Sequence, residues 1–379
     1  MPASASLKPS PISDAVTAKP LAFSHIPGWQ KDDHAAAWQA FFESARRMVD
    51  HPPKTRAFGV SGEALSSIAK KALALGPQAD ADTARLFFET HFTPHALMGE
   101  RQHGEDSFVT GFFEPEVVAS RVETARFRYP LYARPADLVD VTDQNRPTSM
   151  DPAMRFARQT NDGLEPYADR AAIQSGALQG QGLELVWLES IQDQFFIHVQ
   201  GAARLKLTDG DLMRVTFAAK TGHPYTSLAK TLCAQEDIAP EWMTSDRLLD
   251  WMAQDEARAL DLLAHNRSYI FFRTVEQQNP AEGPIAAAKV PLTPYRSLAV
   301  DRTLHTFGTP FFVTTDSPLP GEAAPFAHLM VAQDTGSAIT GPRRGDIFCG
   351  TGAEAGLQAG RVRHQARFIM LVPQSGEGA

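Results

Sequence analysis

Two aspartates near the end of the chain are spaced so that they could act as an acid/base pair. Asp334 lies in a turn sequence at 332–338, and Asp346 follows twelve residues later, just before Ile347 and Phe348. Each acid borders a short apolar run, so we expect both at strand ends, joined by a loop rich in Gly and Arg. Two carboxyls in one cleft are suited to acid/base chemistry on an uncharged bond. Asp before Gly also closes ordinary turns, which leaves a purely structural role open.

An aspartic protease is a second interpretation of the Asp-Thr-Gly stretch at 334–336, because those enzymes place their catalytic acids in such turns. They need two copies of the turn, so that two carboxylates share one proton. This chain has one copy. The nearest second candidate, Asp316, lacks the glycine, and Pro318 lacks a backbone donor that the turn needs. A protease would therefore require a dimer, and it is the weaker interpretation.

Polar or glycine-rich residues interrupt the apolar runs in four segments, at 111–116, 199–204, 221–226 and 334–346. Glycine at a strand end allows a ligand to approach the backbone closely. Gln and Arg beside it supply hydrogen-bond donors of the kind that sugars and amides need. Each segment alone is weak evidence, because most such glycines only form turns.

Composition limits the class of protein. The 379 residues are enough for two domains. A net charge of -8 argues against a nucleic-acid partner, which needs a basic face. Two cysteines, Cys233 and Cys349, lie far apart, and the twelve histidines show no ligand spacing, so we expect no metal. No apolar run approaches the length of a transmembrane segment. The sequence shows neither a signal peptide nor an early cysteine that could carry a lipid.

The elements that must position these residues follow from periodicity. Residues 1–20 are rich in Pro, Ser and Ala, and we expect them to be disordered. Helical patterns cover 33–49, with Asp32 or Asp33 as its cap, then 62–75, 80–92, 227–234, 245–264 and 353–359; Leu86, Phe87 and Phe88 form the expected buried face of the third. Strand patterns cover 108–113, 117–120, 183–188, 195–200, 296–300, 310–314, 328–332, 346–349 and 367–372, with a hairpin turn at 208–210. Short strands separated by Gly and Pro turns predict a small β-barrel.

Taken together, the segments resemble the MltA family of lytic murein transglycosylases over about residues 27–373. The matching stretches are GFFEPEV (111–117), ASR (119–121), FIHVQGAAR (196–204), TGHPY (221–225), VPLT (290–293), RSLAVD (296–301), AQDTGSAI (332–339) and RGDIF (344–348). So many matches in the same order make a chance resemblance implausible.

The resemblance implies a mainly β fold with N-terminal helices. A double-psi β-barrel catalytic domain would comprise 21–116 and 269–373, with a second β domain inserted at 117–268 and a groove between the two. The residue that matches the family's single catalytic acid/base is Asp346, with Asp334 beside it in a supporting role. The residues expected to bind substrate are Glu114, Gln200, Gly201, Arg204, Thr221, Thr335 and Gly336.

The implied activity is that of a peptidoglycan lytic exotransglycosylase, a carbon–oxygen lyase. It would cleave the β-1,4 bond between N-acetylmuramic acid and N-acetylglucosamine and leave 1,6-anhydro ends. An ordinary glycosidase needs two carboxyls, whereas here the sugar's own C6 hydroxyl would replace the second. The resemblance implies no cofactor, peptidoglycan strands as partner, a monomer, and a location in the periplasm or at the outer membrane.

Three features depart from the family pattern. The chain shows no lipobox cysteine, so nothing in it supports membrane anchoring. Position 114 is Glu where some relatives have Thr, and its role could be to bind in the groove, to place a charge near the acid, or neither. Ala202 and Ala203 stand where a Ser is expected. A protein that binds peptidoglycan without cutting it is the alternative from another class.

Overall fold

The computed structural model describes residues 16–99, 107–239, 242–276, 279, 282–320 and 323–374. The chain divides into two compact units. The first unit comprises Met1–Phe113 and Pro280–Ala379, and the second unit comprises Glu114–Asn279. Of the segment expected to be disordered, 1–15 lies outside the described residues. Val16–Pro20 instead forms a strand paired with Phe92–Gly99, which corrects the expectation for those five residues.

The secondary structure is mixed. In chain order the helices are α1 (His34–Asp50), α2 (Gly62–Leu75), α3 (Ala81–His91), α4 (Arg170–Gln174), α5 (Ile191–Gln200), α6 (Leu228–Gln235), α7 (Ser245–Gln254), α8 (Glu256–Ala264) and α9 (Ala353–Ala359). The strands are β1 (Val16–Pro20), β2 (Phe92–Gly99), β3 (Phe108–Glu114), β4 (Glu116–Ser120), β5 (Tyr129–Tyr132), β6 (Leu138–Asp140), β7 (Phe156–Thr160), β8 (Gly163–Glu165), β9 (Glu184–Leu188), β10 (Ala202–Leu207), β11 (Leu212–Lys220), β12 (Ile270–Val275), β13 (Ser297–Val300), β14 (Pro310–Pro318), β15 (Pro325–Asp334), β16 (Arg344–Thr351) and β17 (Arg363–Pro373).

The first unit is built on a barrel. Its strands hydrogen-bond in the order β1-β2-β17-β14-β15-β13-β16-β3, and β17 also pairs with β3. That last pairing closes six strands into a ring, so the predicted β-barrel is confirmed. β13 runs parallel to β15 and antiparallel to β16. This arrangement places β13 between the two strands that carry the candidate acids.

Three helices pack in the first unit as the periodicity predicts. Each begins at a side chain that accepts a hydrogen bond from a backbone N–H of the first turn: Asp33 for α1, Ser61 for α2 and Asp80 for α3. Phe87 and Phe88 are buried, but Leu86 is 64% exposed, so that part of the predicted face is wrong. Consecutive helical residues point about 100° apart, and three in a row cannot share one buried face.

The second unit contains a six-stranded sheet in the order β12-β11-β10-β4-β9-β5 and a three-stranded sheet β6-β7-β8. β10 and β11 form the predicted hairpin, with Gly210 at a positive φ of 95° in its turn. β12 pairs with β11, which assigns Ile270–Val275 to this unit. No helix in the described ranges is both long and apolar enough to cross a membrane.

Two secondary-structure predictions in the second unit are wrong. Residues 195–200 were expected to form a strand, but they belong to α5. Ser190 caps this helix, and Gly201 ends it in the left-handed conformation with φ 76°. A short apolar run does not distinguish a strand from a buried helix. The single helix expected at 245–264 is two helices, because Asp255 ends α7 and caps α8.

Candidate active site

The two candidate acids lie on strands that flank β13. Asp334 is the last residue of β15, and Asp346 is the third residue of β16. Ala299 of β13 is in register with both of them. Residues in register on neighbouring strands present their side chains on the same face, and two strand spacings separate the two Cα atoms by about 10 Å. The barrel therefore places both acids on one face, with Ala299 in register between them.

A hydrogen-bond chain holds the Asp346 carboxyl. The Thr110 hydroxyl, on β3, donates to Asp346 Oδ1 and accepts from Arg344 Nη2 at 2.6 Å. The Arg344 guanidinium lies over the Phe108 ring, 4.5 Å from its centroid. Burial raises the pKa of Asp346 from 3.8 to about 6, while Arg344 and the Thr110 hydrogen bond oppose this rise. The geometry therefore fixes one orientation of a carboxyl that exchanges its proton close to neutral pH.

Asp334 is held by backbone donors. Its Oδ1 accepts from the Ala287 N–H at 3.1 Å. Burial raises the pKa of Asp334 to about 6, and the charge of Asp346 adds to this rise. The backbone N–H groups of Ala287 and Thr335 and the charge of Lys289 oppose it. Both candidate acids therefore have a pKa raised above that of an exposed aspartate.

The loop between the acids is anchored by a third aspartate. Asp301 Oδ2 accepts from the Gly341 N–H at 2.8 Å, and its Oδ1 accepts from the backbone and hydroxyl of Thr303. His305 Nε2 lies 3.0 Å from the Pro342 carbonyl oxygen. Thr335, half-buried, and Gly336, exposed, begin this loop. Four of the predicted site residues, the two acids and these two, are therefore brought together in the first unit.

The remaining predicted site residues lie in the second unit. Glu114 is fully buried and pairs with Arg214, whose Nε and Nη2 lie 2.7 Å and 3.0 Å from its carboxylate oxygens. Thr221 is also fully buried, and its hydroxyl accepts from the Tyr269 N–H at 3.1 Å. Both side chains support the packing of the second unit. Their contact with a ligand stays a prediction.

Three predicted site residues of the second unit are less buried than Glu114 and Thr221: Gln200, Gly201 and Arg204. Gln200 is the half-buried last residue of α5, and Gly201 follows it. Arg204 is paired with Glu116 at 2.6 Å across the parallel strands β10 and β4. These positions keep Gln200 and Arg204 partly open to solvent, and their role in binding also stays a prediction.

Sequence reasoning did not single out Thr110 or Ala299 as site residues. Thr110 directly precedes the noticed segment at 111–116, and Ala299 lies inside the RSLAVD stretch. Their importance comes from strand pairing, which no local pattern encodes. Arg344 was noticed in the loop and in the RGDIF stretch, but no role in holding the acid was predicted for it. Among the described residues, no group of three His, Cys, Asp or Glu side chains could hold a metal ion, and Cys233 and Cys349 are buried free thiols.

Both units of this chain are similar to parts of known proteins. Family models match residues 108–273 as the MltA specific insert domain and residues 296–372 as the 3D domain. The membrane-bound lytic murein transglycosylase A of Vibrio cholerae is 32% identical over 269 residues, which cover 69% of this chain and 64% of that protein.

Solved structures extend the likeness over nearly the whole chain. The membrane-bound lytic murein transglycosylase from Agrobacterium tumefaciens is similar with a TM-score of 0.85 at 41% identity, covering 94% of this chain and 98% of that one. E. coli MltA with bound chitohexaose is similar with a TM-score of 0.62 at 26% identity, covering 89% of each chain. The chain belongs to the MltA family of membrane-bound lytic murein transglycosylases, which confirms the resemblance inferred from the sequence.

Proposed function

We propose that this protein is a lytic transglycosylase that cleaves the β-1,4 bond between N-acetylmuramic acid and N-acetylglucosamine in peptidoglycan. Membership of the family and the chitohexaose bound to the E. coli relative support a β-1,4-linked glycan as substrate. The observation that carries the mechanism is the Asp346 carboxyl, partly buried on the barrel and fixed by Thr110. The first unit is the proposed catalytic domain, and the second unit is the proposed inserted domain.

Asp346 is suited to act as both the acid and the base. With a pKa of about 6, roughly a tenth of its carboxyls carry a proton at pH 7, against about a thousandth for an unperturbed aspartate. A general acid is most effective when its pKa lies near the working pH. The hydrogen bond from Thr110 occupies Oδ1 and leaves Oδ2 as the oxygen that exchanges the proton with substrate.

The proposed reaction needs one carboxyl. Asp346 gives its proton to the glycosidic oxygen O4, and the C1–O4 bond breaks. The C6 hydroxyl of the muramic acid residue then forms the C1–O6 bond and returns its proton to Asp346. The leaving group keeps the proton that Asp346 gave up, and the C6 hydroxyl supplies a new proton to Asp346. The enzyme therefore returns to its starting state, and no water is consumed.

Asp334 has a supporting role in this proposal. When Asp334 is ionised, it makes the electrostatic potential more negative on the face that it shares with Asp346. This stabilises the positive charge that develops on the sugar ring in the transition state. Thr335, Gly336, Gln200, Gly201 and Arg204 are proposed to bind the glycan. The same role is proposed for Glu114 and Thr221, whose buried side chains also support the second unit. A peptidoglycan substrate implies that the protein is located in the periplasm or at the outer membrane of a Gram-negative cell.

The test compares the wild-type chain with Asp346→Asn and Asp334→Asn on purified peptidoglycan sacculi. We expect soluble fragments with 1,6-anhydro ends from the wild type, a reduced yield from Asp334→Asn, and none from Asp346→Asn, with circular dichroism confirming that each variant folds. Sedimentation with sacculi is measured in parallel. Binding without any fragments from the wild type would favour the non-catalytic alternative, and full cleavage by Asp346→Asn would overturn the assignment of the acid.

A further inference from the structure

The position of Asp334 depends on a one-residue irregularity in β15. Ser297 pairs with Val331 and Leu298 pairs with Ala332, but Ala299 pairs with Asp334, so Gln333 is passed over. In a regular ladder Ala299 would face Gln333, and Asp334 would fall in register with Val300. A shift of one residue turns a side chain to the opposite face of a sheet. The irregularity therefore puts Asp334 on the same face as Asp346.

The side chain of Gln333 is fully buried and fully hydrogen-bonded. Its Nε2 donates to the Ala40 carbonyl oxygen and to Ser44 Oγ, both at 2.8 Å and both on α1. Its Oε1 accepts from Ser297 Oγ on β13. A glutamine amide offers two N–H donors and a carbonyl acceptor, and here both donors and the acceptor have partners.

The backbone of Gln333 is held as well. Its carbonyl oxygen accepts from the Ala288 N–H at 2.9 Å, next to the Ala287 N–H that binds the Asp334 carboxylate. The extra residue of an irregular strand normally loses its ladder partners. Here the 286–290 turn supplies a replacement partner for the backbone carbonyl, and α1 and β13 hold the side chain, which stabilises this irregular register against the regular one.

We propose that Gln333 is a positioning residue that locks the register of β15 and thereby aims the Asp334 carboxyl onto the face it shares with Asp346. Glutamate in its place would set an acceptor against the Ala40 carbonyl oxygen, and leucine would remove the hydrogen bonds to all three buried partners. Neither variant would favour the irregular register. Only the expected effect of Gln333 variants on cleavage rests on the proposed function; the effect on the register of β15 does not.

The first experiment does not depend on activity. Asp334→Asn removes a carboxyl whose pKa is raised by burial and by the charge of Asp346, against the opposing charge of Lys289, so that its ionisation destabilises the folded protein as pH rises. In the wild-type background we expect Asp334→Asn to raise the melting temperature more at pH 8 than at pH 4. In the Gln333→Leu background this pH-dependent gain should disappear, because the carboxyl no longer occupies the buried position. An unchanged gain would overturn the inference.

The second experiment is a double-mutant cycle on cleavage of sacculi. Gln333→Leu should lower kcat by about tenfold to a hundredfold, the range expected for misplaced catalytic groups. If Gln333 acts through Asp334, the double variant with Asp334→Asn should be no slower than the slower single variant. Additive losses would contradict the proposal. Absence of cleavage by the wild type would refute the proposed function alone, since the melting experiment would still decide the role of Gln333.

Two further variants distinguish the proposed role of Gln333 from a general loss of stability. Ser44→Ala removes one of the three hydrogen-bond partners and should produce the same changes at smaller size. Gln194, another buried glutamine, donates to the Pro130 carbonyl oxygen at 2.7 Å in the second unit. Gln194→Leu is therefore the matched control: it should lower the melting temperature but leave the pH-dependent gain from Asp334→Asn intact. Loss of that gain in the control as well would mean that general destabilisation explains the result.

Discussion

Replacing Asp346 by Asn should stabilise the folded protein at neutral and alkaline pH. Burial raises the pKa of Asp346 from 3.8 to about 6. Between these values the folded chain still holds a proton that the unfolded chain has released, so the stability of the wild type falls as pH rises through this window. Asn has nearly the same shape, keeps an oxygen that accepts from Thr110, and never ionises. The variant therefore avoids a cost that the wild type bears above about pH 6.

The size of the effect follows from the two pKa values. The rise of the Asp346 pKa from 3.8 to about 6 lowers the free energy of unfolding by about 3 kcal/mol at a pH where the carboxyl is ionised in both the folded and the unfolded chain. Asp346 is only partly buried, and solvent screening reduces this to about 2 kcal/mol at pH 8. At pH 4 the wild type is protonated when folded and about half protonated when unfolded, so only a few tenths of a kcal/mol remain. For a unit of about 200 residues, 2 kcal/mol raises the melting temperature by about 5 °C.

The assay is thermal unfolding of both proteins at pH 4, 6 and 8, at equal ionic strength. The matched control is Asp316→Asn, because Asp316 belongs to the same unit and forms an exposed pair with Arg367 at 3.1 Å. Such a surface pair contributes little to stability, so this variant should change the melting temperature slightly at every pH. A stabilisation by Asp346→Asn that is the same at pH 4 and pH 8, or that is absent at both, would refute the raised pKa.

Three other substitutions test the surroundings of the acids and the second unit. Thr110→Val removes a hydrogen bond that lowers the pKa of Asp346, so the alkaline limb of the pH–rate profile for cleavage should move to higher pH. Ala299→Leu should abolish cleavage with little loss of secondary structure, measured by product release and circular dichroism, because the larger side chain fills the space between the carboxyls. Ala299→Ser is its control and should remain active. Glu114→Gln leaves the Arg214 charge buried without its carboxylate and should cost about 3–5 kcal/mol in urea denaturation; an unchanged midpoint would contradict the buried pair.

Local patterns predicted the helices of the first unit well. Asp33, Ser61 and Asp80 are typical helix caps, and the apolar spacing behind each of them fixes one buried face. The same reasoning failed for 195–200, where a contiguous apolar run fits a strand and a buried helix equally. There the helix is decided by Ser190 at one end and by the left-handed Gly201 at the other.

The candidate site was only partly accessible from the sequence. The spacing of Asp334 and Asp346 at strand ends predicted that they belong together. The contributions of Thr110 and Ala299 depend on which strands become neighbours in the closed barrel, and residues more than two hundred positions apart meet there. The irregular register at Gln333 depends on hydrogen bonds that its side chain donates to α1, which is nearly three hundred residues away in the chain. No local pattern can specify such long-range partners.

In the proposed reaction Asp346 transfers a proton while the sugar's own hydroxyl, and not water, attacks the anomeric carbon. The most direct test is to digest sacculi in water enriched in the isotope oxygen-18 and to measure the masses of the released fragments by mass spectrometry. We expect fragments that end in 1,6-anhydro-N-acetylmuramic acid and contain no label, and no fragments from Asp346→Asn. Reducing ends that carry one labelled oxygen would contradict this mechanism, because water would then be the nucleophile and a second carboxyl, Asp334 first, would have to activate it.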